Sequence, residues 1–138
     1  MVMKLVLGFV VAVLVALGAG WALGASGKSE MTGAIQTAEL QTVLLEARSA
    51  VLDARLDIYN VNFGEASRHF ELARTSLRSA DERLKVLGRQ EDSKRLTLAL
   101  SRIDEAQQMA GQLNQAANAV AADAANVIHD VIGNTATR

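Results

Sequence analysis

The chain has no cysteine and no proline, only 4% aromatic residues, and two histidines in 138 positions. Without cysteine there is no disulfide, no thiolate nucleophile and no sulfur-ligated metal, and the chain suits oxidising and reducing compartments alike. Without proline, nothing interrupts a helix by removing a backbone donor. Charge of one sign is also missing, since 14 basic against 15 acidic side chains leave a net charge of −1. No basic stripe is offered to nucleic acid and no polybasic run to anionic lipid. A serine in a nucleophile elbow and a glycine-rich phosphate loop are absent too, which removes the usual parts of covalent and nucleotide chemistry. The expectation is a non-enzymatic protein with no cofactor, no metal site, no nucleic-acid partner and no small-molecule substrate.

What the sequence does contain is Leu5 to Gly24, LVLGFVVAVLVALGAGWALG, an uncharged run of about twenty residues, which as a helix spans ~30 Å, the thickness of a bilayer core. Gly8, Ala12, Ala16, Gly20 and Gly24 recur every fourth residue, and the last two complete a GxxxG. Small residues on one side of a membrane helix let another backbone approach closely, so this strip is a candidate helix-packing face, with leucine, valine and phenylalanine left for lipid. Trp21, near the outer end, suits an interfacial anchor and is an interface candidate. Lys4 before the run and Ala22-Leu23-Gly24 before Ala25 also fit a cleaved export signal, but the apolar run is longer than such signals use. The charge pattern places the N-terminus in the cytoplasm and the remainder outside. A single-pass protein of the bacterial inner membrane with a periplasmic helical domain follows.

The expected organisation is an anchor at 1–25, a short polar hinge at 26–30, a helical bundle at 31–132 and a flexible tail at 133–138. From Met31 a heptad seam runs through Ile35, Ala38, Thr42, Leu45, Ser49, Leu52, Leu56 and Tyr59, and a second through Leu40, Leu44, Ala47, Val51, Ala54 and Ile58. Two seams predict a helix buried between two neighbours. Asn62 and Glu65 are placed for a capping box after a turn at 59–62, and a second helix follows with Phe63, Ala66, Phe70, Ala73, Leu77, Ala80, Leu84 and Leu87 inward and Gly88 at its end.

Asn62-Phe63-Gly64-Glu65-Ala66, followed by Phe70 and Ala73, resembles the second-helix half of a tetratricopeptide repeat. The Trp-Leu-Gly-Tyr pattern of that family's first helix is missing, Arg78 stands at the closing proline's place, and no second copy follows. What the resemblance implies is therefore limited to a close antiparallel helical hairpin.

Asp92 or Ser93 is placed to cap a third helix, with a seam through Leu96, Ala99, Ile103, Ala106, Ala110, Leu113, Ala117, Val120, Ala124, Val127 and Val131. Unbroken to Ile132 it measures ~60 Å against ~38 Å for the second helix, leaving an overhang without an intrachain partner. Either Gly111 and Asn114 permit a break and a fourth helix folds back, or the overhang lies on another protein. In the second case Leu113, Val120, Val127 and Val131 are interface residues. Tyr59 and Phe63 at the hairpin tip form either an apolar knob for a partner, which makes them interface candidates too, or a staple that closes the turn.

The histidines supply little chemistry. Glu65 and His69 lie one turn apart, as an exposed helix pair would, and His129 lies far away. The apolar run carries neither a histidine for haem or chlorophyll nor an ionisable residue for an ion path. Arg48, Asp53, Arg55 and Asp57 sit between the seams as interhelical ion pairs would.

The sequence reading is thus all-α: a single N-terminal transmembrane helix and an antiparallel bundle or coiled coil of three or four helices. Its expected role is a membrane-docked accessory subunit that braces unlike subunits of a larger assembly, in the manner of photosynthetic reaction-centre, antenna or respiratory complexes. A tethered binding module or assembly chaperone, and a homo-oligomeric coiled-coil scaffold, are the alternatives.

Overall fold

The computed structural model describes the backbone of residues 2–137 and the side chains of residues 31–137. The chain is all-α: helices α1 (Val2–Tyr59), α2 (Phe63–Val86), α3 (Gln90–Gly111) and α4 (Ala117–Ala136) follow one another, with no strand among the described residues. Two compact units divide it, residues 1–36 and residues 37–138. In the first unit, Met31 and Ile35 are exposed. The expected anchor, its small-residue strip Gly8, Ala12, Ala16, Gly20 and Gly24, the interfacial Trp21 and the hinge at 26–30 lie outside the described side chains. Among the described residues no helix is long and apolar enough to cross a membrane.

Residues 37–138 form an up-and-down four-helix bundle, in which short turns force each helix to run back along the one before. Cross-helix pairs fix the directions. On α1 and α2, Glu39 meets Arg83 at 2.6 Å and Asp57 meets His69 at 2.7 Å. Asp104 of α3 accepts from Arg74 of α2 at 2.6 Å, and Ser93 donates to Asp81. Asn134 of α4 reaches Asp92 of α3 at 3.1 Å. The bundle closes through Arg55 of α1, whose Nε donates to Asn118 of α4 at 3.0 Å while the Asn118 amide returns a bond to the Arg55 carbonyl.

The periodicity explains the core. On α2 the buried residues are Ala66, Phe70, Ala73, Leu77, Ala80 and Leu84, with Phe63 and Leu87 partly covered at the ends. On α3 they include Leu96, Ala99, Ile103, Ala106 and Ala110. Both sets follow the expected seams. On α3 and α4 half of the buried residues are alanines, so the backbones approach closely and those positions bury little area.

The long third helix does not exist. It ends at Gly111, and residues 117–136 fold back as α4, the alternative in which the chain breaks near Gly111 and Asn114, so the overhang is absent; of its interface candidates Leu113 stays exposed and Val131 does not. Val131 is fully buried in the chain's own core, and Val120 and Val127 are half-buried against that core. The buried stripe of α4 is Ala117, Ala121, Ala124, Ala125, Ile128, Val131 and Thr135; it keeps Ala117, Ala124 and Val131 of the expected seam and takes Ala121 and Ile128 in place of Val120 and Val127. The tail is also shorter than expected. Helix α4 continues to Ala136, and Thr135 is buried with its hydroxyl donating to the Ile132 carbonyl at 2.6 Å.

Three of the helix boundaries share one backbone device. After α2, Arg89 N–H bonds Leu84 O at 2.8 Å and Gly88 N–H bonds Lys85 O at 3.1 Å, with Gly88 at φ +70°. This is a Schellman motif, with glycine at the left-handed position that favours it. The same bonds recur after α1, around Val61 at φ 61°, and after α3, around Leu113 at φ 58°. There a β-branched and a γ-branched residue occupy a conformation that crowds their Cβ. Gly111 sits two residues too early to serve. The expected side-chain caps are corrected as well: Asn62 makes no capping bond, Glu65 pairs with Arg68, and α3 begins before Asp92 and Ser93, which lie within its first turn.

Val61→Gly and Leu113→Gly are each expected to stabilise the bundle by about 0.5–1 kcal/mol, because both side chains are exposed and little packing is lost. Chemical denaturation followed by helix content checks this, and Gly88→Ala should move stability the other way.

Candidate interaction surface

Helix α1 carries two apolar seams, and the bundle uses one. Leu40, Leu44, Ala47, Val51, Ala54 and Ile58 are fully buried. The other seam is open to solvent: Leu45 is 53% exposed, Leu52 36%, Leu56 59% and Tyr59 78%. The two seams predict a helix with both apolar faces covered; α1 does have two neighbours, α2 and α4, but both pack on one side and cover one face. Glu39 and Asp57 reach α2 and Arg55 reaches α4, so the stripe from Ala38 to Tyr59 faces away from both. It forms heptad positions a (Thr42, Ser49, Leu56) and d (Ala38, Leu45, Leu52, Tyr59). The Thr42 hydroxyl donates to the Ala38 carbonyl at 3.0 Å, which leaves its methyl for packing.

Charged residues flank the stripe by sign. One side has Glu39, Glu46 and Asp53, and the other has Arg48 and Arg55. Glu39 and Arg55 are engaged within the bundle. Among the described residues Glu46, Arg48 and Asp53 have no ion-pair partner, and Arg48 Nε is buried with no hydrogen-bond acceptor. Beside the acidic edge, Glu46, Ser49, Asp53, His69, Leu72 and Ser76 line a shallow groove between α1 and α2.

Compared with known proteins, the chain matches no family model, no curated protein and no solved structure. The surface therefore has to be read from its own chemistry.

The remaining polar clusters tie helices together. His69 turns to Asp57, not to Glu65, so the Glu65–His69 pair does not form. No group of three potential ligands gathers round a metal position among the described residues. Of the four charged α1 residues expected to bridge helices, Arg55 and Asp57 do so and Arg48 and Asp53 do not. Of the hairpin-tip candidates, Tyr59 is exposed and Phe63 is packed against the core. Leu113, in the turn at the same end as Tyr59, is exposed. Between α2 and α3, Arg74 binds Asp104, Gln107 and Glu71, and the Arg74 and Gln107 hydrogen bonds hold the Glu71 carboxyl below its usual range.

The lowered pKa of Asp81 makes stability depend on pH. Burial works against its charge, yet hydrogen bonds from Lys85 and Ser93 and the Lys85 charge outweigh that and lower its pKa. A carboxyl lowered on folding contributes stability above its unfolded value and loses it as pH falls through the folded value. Asp81→Asn is thus expected to melt below the wild type at neutral pH, with the gap closing under acid conditions below the ordinary carboxylate value of 3.8. Melting temperatures across that range test it.

Proposed function

We propose that this chain is a non-catalytic, membrane-tethered subunit that works by protein contact, with Leu5–Gly24 as a single span, the N-terminus cytoplasmic and the bundle outside. One observation carries the reading: α1 presents a solvent-exposed heptad stripe opposite the side it buries in its own core. A helix with apolar residues on two faces normally has two neighbours, and this bundle fills only one of those places. The uncharged run of Leu5–Gly24 supports the tether, since its length matches a bilayer core. The strip from Gly8 to Gly24 supports helix docking within the membrane.

Mild detergent extraction followed by sizing tests the reading. The chain is expected in the membrane fraction and in an assembly larger than a detergent-bound monomer, and Gly20→Leu with Gly24→Leu should weaken that assembly. Recovery of the mature chain in free solution, clipped near Ala25 and monomeric, overturns the reading.

A further inference from the structure

We infer that the exposed α1 stripe pairs with the same stripe of a second copy, as a parallel, in-register two-stranded coiled coil over residues 38–59. This rests on the membrane-tethered reading and names the partner of its contact surface.

Charge complementarity carries the argument. With Leu45, Leu52 and Tyr59 at d and Thr42, Ser49 and Leu56 at a, position e is Glu39, Glu46 and Asp53, and position g is Gln41, Arg48 and Arg55. In a parallel pair each g residue faces the e residue five positions on in the other helix. Arg48 then meets Asp53 of the second copy, Gln41 meets Glu46, and twofold symmetry repeats both contacts. These are the stripe's charges that the bundle leaves unpaired. An antiparallel pair would set e against e and g against g, placing acid beside acid and arginine beside arginine. That arrangement is repulsive.

The seam itself sets the strength. Leucine and tyrosine at three of four d positions supply apolar burial, while Ser49 at a supplies none. Such a coil of ~33 Å is weak in dilute solution and gains from two copies sharing one membrane, where both amino termini already point the same way. The parallel direction that the charges select is the one that a common tether allows.

Because the chain has no cysteine, single Leu45→Cys, Leu52→Cys and Leu56→Cys variants of the full chain report the pairing directly. In membranes under mild oxidation, all three should form disulfide-linked dimers, while Leu98→Cys, exposed on α3, should not. Arg48→Asp and Asp53→Arg should each reduce linking at Leu52→Cys by about tenfold, since two symmetry-related exposed ion pairs are lost together, and the double exchange R48D/D53R should restore it. Helix content of each variant guards against misfolding. Linking no greater than the Leu98→Cys control overturns the inference, as does linking at only one of the three positions, which marks an antiparallel pair. Membrane-bound chain that co-purifies with an unlike protein but does not self-link overturns the second-copy assignment and leaves the tethered reading standing. A free monomer in solution overturns both.

Discussion

Phe70→Ala should cost about 3–5 kcal/mol of unfolding free energy, the largest effect expected of any single truncation in the bundle. Phe70 is fully buried at 0% exposure and is the bulkiest side chain in the core. It projects from the N-terminal third of α2, with Ala66 and Ala73 one turn to either side. Their methyl groups cannot extend to refill the space, so most of the cavity remains and its lining loses contact on one side. A domain of this size has total stability of roughly 5–15 kcal/mol, so the variant is expected to be partly unfolded at ambient temperature. Denaturant titration of the full chain in detergent, followed by helix content, measures the loss. Leu72→Ala, two positions away and 58% exposed, should change stability by less than about 0.5 kcal/mol. Similar losses in the two variants would contradict the facing of α2.

The second large effect is electrostatic. Asp92→Ala should destabilise the bundle by about 2–3 kcal/mol, since hydrogen bonds to charged groups are worth about 1.5–3 kcal/mol and an orphaned charge adds to the loss. The Asp92 side chain is 8% exposed and accepts from Arg89 Nε at 3.0 Å, Arg89 Nη2 at 2.7 Å and Asn134 Nδ2 at 3.1 Å. It joins the turn between α2 and α3 to the end of α4. Removing it leaves the Arg89 guanidinium, 13% exposed, without its carboxylate. Arg89 can swing toward solvent, which keeps the cost below that of a sealed ion pair. Asp92→Asn, which keeps the shape and one acceptor, should cost about half as much, and Asn134→Ala, which cuts only the tie to α4, about 1 kcal/mol. An Asn134→Ala loss equal to that of Asp92→Ala would show that the carboxylate's own pairing with Arg89 contributes nothing.

These two sites differ in how far the sequence announced them. Phe70 stood in a regular stripe on α2, and the same spacing marked the α3 seam from Leu96 to Ala110. Asp92 has the local pattern of a helix cap, because an acidic residue ahead of an apolar run is a start signal. The helix instead starts earlier, and Asp92 is drawn inward by Arg89 and by Asn134, a residue 42 positions away. No local pattern carries a contact of that separation.

The helix end at Leu113 shows the same limit. A glycine at 111 and an asparagine at 114 signalled that a break was permitted, without saying that it happens. The chain turns at Leu113, on a residue poorly suited to that conformation. Folding α4 back buries Ile128, Val131 and a row of alanines, and that gain outweighs a local cost of about 1–2 kcal/mol.

Sequence alone determined that the described chain is helical, that each helix has an apolar stripe, and that Leu5–Gly24 is an uncharged run of bilayer length. These are properties of neighbouring residues: helix propensity and the three-and-four spacing act within a few turns. Tertiary structure alone decided which of the two α1 seams is covered, that the third helix divides, and which charges remain unpaired beside the open seam. Those outcomes depend on the side from which α2 and α4 approach, and burial is decided only when distant segments meet.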